Sequence, residues 1–206
     1  MVYMAFSSSY LYFYILILKA MTYSDYSAIF DQILSGTLHH APYDDPHFVE
    51  YTKLNQSRMH RWDKTGILTE ECKSTIQSIE IPMHWILITE PWCGDAAHSV
   101  PFLAKMAAEN PLIHLEIQLR DSESSEIESY LTNGGKSIPI LVVRNSLGED
   151  LFVWGPRPEA CRILHHTLKA QEITLEELKT GLQQWYNADK GLSIQEEMID
   201  KIRSLS

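Results

Sequence analysis

The chain has 206 residues, 45% of them apolar and 21% charged, enough for one full core with helical additions. Its net charge of −10 excludes general nucleic-acid binding, which needs a basic face, and the acidity otherwise reads as solubility. The three cysteines Cys72, Cys93 and Cys161 are odd in number and lack zinc-knuckle spacing, which excludes a disulfide scaffold and favours a reducing, cytoplasmic setting.

"YLYFYILIL", residues 10–18, is a continuous apolar run that ends at Lys19. Residues 1–20 carry three readings. One is a start placed upstream of the true one, with Met21 opening the protein. The second is a membrane anchor, which Lys19 would orient with a cytoplasmic body. The third is a cleaved export signal, although no Lys or Arg precedes the run. A membrane is a partner only if residues 1–18 are a genuine anchor.

Residues 21–80 read as a helical extension. Ala28, Ile29, Ile33 and Leu34 recur at helical spacing, and Gly36 closes that segment. Asp45-Pro46 is an N-cap followed by a first-turn proline, predicting a helix to about Trp62. A third helix begins at Thr69 and carries Cys72, Ile76 and Ile79.

The pattern changes in residues 81–170. "MHWILIT", 83–89, is the continuous apolar run of a strand buried on both faces. Helical spacing returns over 93–109, and residues 112–119 alternate with His114, Glu116 and Gln118 on one face. Residues 122–132 read as a short polar helix. "IPILVV", 138–143, is a second apolar strand, and a turn at Gly148 leads through "LFVW" to complete a hairpin. Pro158 starts a helix to about Ala170. In residues 171–206, Thr174–Glu177 and Ser193–Glu196 are two capping boxes. Leu175, Leu178, Leu182 and Trp185 form the apolar stripe of the first helix. The β-α-β-α order followed by a hairpin and a helix implies parallel strands joined by a crossover, with an antiparallel edge.

Five features in this order resemble the thioredoxin family, in particular a bacterial group with extra N-terminal helices. Trp92-Cys93 stands where a buried strand meets a helix, and Gly94 follows the cysteine. Pro101 lies eight residues further on, Ile138-Pro139 opens a buried strand, and Gly155 follows the last strand. The resemblance covers about residues 80–170. It implies an α/β thioredoxin-like three-layer sandwich: a mixed sheet of four to five strands flanked by helices, with added helices at both ends. It also implies that Ile138-Pro139 is the family's cis-proline. Three positions depart from the family pattern. Ala96 replaces the resolving cysteine, Asp95 replaces the intervening proline, and Leu87 replaces the buried aspartate.

The candidate catalytic set is Cys93, Trp92, Asp95 and Glu90. A cysteine in the first turn of a helix lies near free N–H groups and the positive dipole end, which favour the thiolate if the thiol is partly exposed. The ordinary alternative is a buried structural cysteine. Asp95 reads as a favourable charge at the helix N-terminus that would blunt thiolate formation. Glu90 reads as a solvated strand-end acid, or else as a proton acceptor, and Trp92 as a packing aromatic or a docking wall.

Gly94, Ile138 and Pro139 are the candidate substrate-binding positions. The backbone of Ile138 would pair with an extended chain. Cys72 and Cys161 read as core cysteines that resolve Cys93 only if folding brings them close. The pairs His39-His40 and His165-His166 lack metal-ligand spacing, so no metal and no cofactor are expected. Arg157 and Arg162 read as solvated charge or as a seat for an anionic small thiol, a possible co-substrate.

Three functions follow from the resemblance. The first, placed slightly ahead, is a thiol-disulfide oxidoreductase working through Cys93 alone, on a protein or small-molecule disulfide. The second is a non-catalytic peptide-binding or adaptor protein on the same fold. The third is an enzyme that conjugates a glutathione-like small thiol.

Overall fold

The computed structural model describes residues 20–205. The apolar run 10–18 and its three readings lie outside the described residues. Among the described residues no helix is long and apolar enough to cross a membrane.

Among the described residues three helices precede the sheet, and each begins where a side chain satisfies free backbone N–H groups. In α1 (Tyr23–Leu34) Thr22 and Asp25 form a reciprocal capping box. In α2 (Pro46–Thr65) the Asp45 carboxylate accepts from the His47 amide, with Pro46 in the first turn. In α3 (Glu70–Gln77) the Thr69 hydroxyl accepts from the Cys72 amide. Each such cap stabilises its helix by about 1 kcal/mol.

The sheet has four strands: β1 (Met83–Thr89), β2 (Ile113–Leu119), β3 (Ile140–Asn145) and β4 (Asp150–Trp154). Their spatial order is β2-β1-β3-β4, with β1 parallel to β2 and antiparallel to β3, and β3 antiparallel to β4. Every residue of β1 is buried, which explains its largely apolar sequence, broken only by His84 and Thr89. The crossover from β1 to β2 is α4 (Gly94–Ala108), which holds Pro101 in its interior. Ahead of α1, Met21 adds one antiparallel bridge to Ile117 on β2.

Three helices close the chain: α5 (Glu159–Lys169), α6 (Leu175–Asp189) and α7 (Leu192–Arg203). The α/β architecture with extra helices at both ends is as the sequence implies. A main core joins the sheet to α1–α4 and α7, and Cys161, Leu182 and Tyr186 form a separate small cluster between α5 and α6.

Three local expectations are corrected. Residues 122–132 contain only a 3-10 turn, Ile127–Ser129. Ile127 is the only fully buried residue of that stretch, and the Ser122 and Ser125 hydroxyls bond nearby backbone instead of leaving it to a helix. Ser193–Glu196 is not a capping box. Lys190 (φ 54°) and Gly191 (φ 77°) turn α6 directly into α7, so Ser193 falls inside the helix and its hydroxyl bonds Asp189. The stripe of α6 is covered unevenly: Leu182 is buried with Tyr186, Leu178 and Trp185 are half-buried, and Leu175 is 63% exposed.

Candidate functional site

β1 ends at Thr89, and Glu90-Pro91-Trp92-Cys93 carries the chain into α4. Cys93 is the N-cap of α4, but its side chain makes no capping bond. The thiol instead donates to the Ile138 carbonyl at 3.4 Å. The Ile138–Pro139 peptide is cis. Behind it, Gly155 takes φ 118°, and a Cβ there would sit 2.2 Å from the Pro139 carbonyl oxygen. Only glycine lets β4 leave the sheet this close to the loop.

Cys93 is 7% exposed, contrary to the partly open thiolate that its helix position suggests. Burial pushes its thiol up to about 12, and the Asp95 charge adds to the rise. The amides of Ala96 and Asp95 pull the other way and lose. The helix N-terminus does favour the thiolate, but desolvation of the charged form is larger here. Cys72 and Cys161 are also buried free thiols, raised by burial to about 11 and about 12. Cys161 packs in the α5–α6 cluster and Cys72 in the main core, and neither is bonded to Cys93.

Glu90 is not a solvated strand-end acid. It is 3% exposed, accepting from the Tyr43 hydroxyl at 3.2 Å and the Asp121 amide at 3.1 Å. Burial raises its carboxyl above the usual range. The position of the family's buried aspartate, Leu87, is fully buried core. Asp95 makes no cap; its carboxylate pairs with Arg157 at 2.6 Å and accepts from the Tyr186 hydroxyl at 2.9 Å. Arg162 pairs with Glu159 on the surface at 2.5 Å. Trp92 is half-buried, edge-on to Phe48 with ring centroids 5.7 Å apart, and carries the Arg120 guanidinium 4.6 Å from its ring. Ile138 is buried, and its carbonyl is already taken by Cys93, so the backbone pairing expected there is half occupied.

Beside this junction lies a cavity of about 410 Å³. Trp92, Gly94 and Asp95 form its floor, α2 one wall and α6 the other; Cys93 is not part of its lining. The wall residues Arg58, Lys179 and Tyr186 carry no motif and were not candidates from sequence. Arg58 lies over the start of α4, with its Nη1 3.6 Å from where a Gly94 Cβ would be. His98 ties the parts together. It accepts from Trp62 Nε1 at 2.9 Å, bonds Gln183 at 3.1 Å, and stacks on Tyr186 with centroids 4.4 Å apart. Burial holds its imidazole down at about 3. Among the described residues no group of His, Cys, Asp or Glu is arranged to hold a metal.

A buried strand that enters a helix through Trp-Cys-Gly, with a cis-proline loop packed on the thiol, defines a thioredoxin-fold protein. A family model described as thioredoxin matches residues 43–172, and the chain belongs to that family, which is of the thiol-oxidoreductase type. The matched span begins at Tyr43, so it takes in α2 and α3 as well as the sheet. No curated protein matches the sequence. Two solved structures share the fold. One is a protein of unknown function, PA1234 from Pseudomonas aeruginosa, at 15% identity and TM-score 0.57, covering 93% of this chain and 96% of that one. The other is an HIV epitope-scaffold at 14% identity and TM-score 0.58, covering 93% and 98%.

Proposed function

We propose that this chain is a ligand-binding member of the thioredoxin family that has given up disulfide turnover. The observation that carries this reading is the setting of Cys93: 7% exposed, with burial pushing its thiol up, and bonded to a backbone carbonyl. A thiol held at about 12 is thiolate to roughly one part in ten thousand at pH 8, against about a quarter for a free cysteine at 8.5. Ala96 offers no second sulfur to release a mixed disulfide. The cavity alongside supplies the binding function, and because Cys93 does not line it, a bound molecule is not presented to the sulfur. This weighs against conjugation of a small thiol.

Exchange through Cys93 alone is the second reading. Its support is the cis-Pro139 loop against the thiol and the two helix amides that favour the thiolate. Opening the site to solvent would remove the desolvation that now opposes them.

The two readings separate by alkylation of Cys93 with iodoacetamide across pH 6–11, followed by peptide mass spectrometry, together with insulin reduction in the presence of a small thiol. Binding without turnover predicts labelling at pH 8 about a thousandfold slower than in the unfolded chain, and no reduction. Titration at or below 8.5 with reduction of insulin establishes exchange instead.

A further inference from the structure

We propose that the cavity between α2 and α6 binds a small organic anion: a carboxylate or phosphate head on an apolar body. This rests on the reading of the chain as a binding protein and names its ligand class.

The chain as a whole has ten more acids than Lys and Arg together, yet this cavity reverses the balance. Three permanent cations, Arg58, Arg157 and Lys179, face one carboxylate, Asp95. That carboxylate is already engaged by Arg157 and Tyr186. Lys179 reaches Glu176, which lies outside the cavity, at 3.1 Å. Arg58 is half-buried and donates to the Asn55 side-chain oxygen at 2.8 Å. Among the described residues no carboxylate lies within ion-pair distance of it. A partly desolvated guanidinium without a counter-charge is costly, and an anion at its fork removes that cost.

The unsatisfied groups have the same sign. Arg157 Nε and Trp92 Nε1 are buried donors without an acceptor, and both belong to residues of the cavity wall. Buried donors are nearly always paired, but both atoms are closed to solvent and would meet an occupant's acceptor only if their side chains turned towards the cavity.

Much of the rest of the lining is apolar, with His47, His98, His165 and Gln183 among it. Phe48, Leu178, Leu182 and the exposed Leu175 give the ligand's body a surface, which accounts for the exposed start of the α6 stripe. The volume falls in the range of roughly 300–1,000 Å³ used by small-molecule sites.

Calorimetric titration of the full chain tests this with octanoate, octyl phosphate and neutral 1-octanol. At least one anion is expected to bind about tenfold or more tightly than octanol, and the tighter anion identifies the head group. Arg58→Gln is expected to weaken that anion about tenfold or more without changing octanol, as loss of a charged hydrogen bond does. Lys179→Gln, on the exposed side, gives a smaller loss and serves if Arg58→Gln fails to fold by circular dichroism. Octanol binding as tightly as both anions, or unchanged anion affinity in a folded variant, overturns the proposal. Either failure leaves the titration of Cys93 as it was, so the ligand class and the absence of turnover stand or fall separately.

Discussion

Lowering the pH should weaken this fold through one buried imidazole. His98 is 4% exposed, and its Nδ1 accepts from Trp62 Nε1, so the ring proton sits on Nε2 and goes to Gln183. Protonating Nδ1 would set two N–H groups against each other in a dry site near Arg58 and Arg61. The folded group titrates at about 3 and the unfolded one at about 6.5, so the unfolded chain binds a proton that the folded chain refuses. Stability from this group is therefore present above about pH 6.5 and is lost as the pH falls towards 3. Between pH 7 and 4.5 the loss works out at about 2.5 kcal/mol. The assay is urea unfolding of the native chain and of His98→Gln at both pH values. Glutamine can accept from Trp62 and donate to Gln183 without titrating. The difference in stability between the two proteins should shrink by about 2.5 kcal/mol on acidification. If His98→Gln follows the native chain to within about 0.5 kcal/mol at both pH values, the neutral latch is refuted.

Two further outcomes follow from the site. Asp95→Asn removes the charge that helps hold the Cys93 thiol up, so alkylation of Cys93 should quicken about tenfold at pH 8. It should also cost about 1–3 kcal/mol in urea unfolding, because Arg157 loses its partner. Gly155→Ala should destabilise by more than about 2 kcal/mol, since the added Cβ meets the Pro139 carbonyl at a φ that other residues rarely adopt. A Gly155→Ala protein with unchanged melting would show that the β4 exit has room for a side chain beside Pro139.

Most of the fold was legible because its elements announce themselves locally. The buried run of β1, the alternation in β2 and the helix starts at Asp45, Thr69 and Thr174 are short-range signals. The junction at Trp92-Cys93-Gly94 was legible for the same reason. What sequence reasoning missed depends on long-range contacts. Asp95 finds Tyr186 across 91 positions, and Glu90 finds Tyr43 across 47. Arg58 gave no signal beyond being one charge among many on a helix. The exposure of Cys93 was misjudged because a helix N-terminus is a local property, whereas desolvation is set by the cis-Pro139 loop and the sheet packed around the thiol. The α6 stripe offered a readable clue: Leu175, Leu178 and Leu182 needed a neighbour, and what they border is a cavity.

The placement of α6 has a consequence for how such a protein can change. The span matched by the thioredoxin family ends at residue 172, and α6 begins at Leu175. The cavity's floor and one wall therefore come from the family's own framework, while the facing wall comes from a helix appended after it. Leu175, Leu178 and Lys179 on that helix can be exchanged without disturbing the sheet or the cis-proline loop, whereas Gln183 and Tyr186 also hold His98 and Asp95. A redesign confined to Leu175, Leu178 and Lys179 would retune which molecule is held while keeping the contacts that bind α6 to the scaffold.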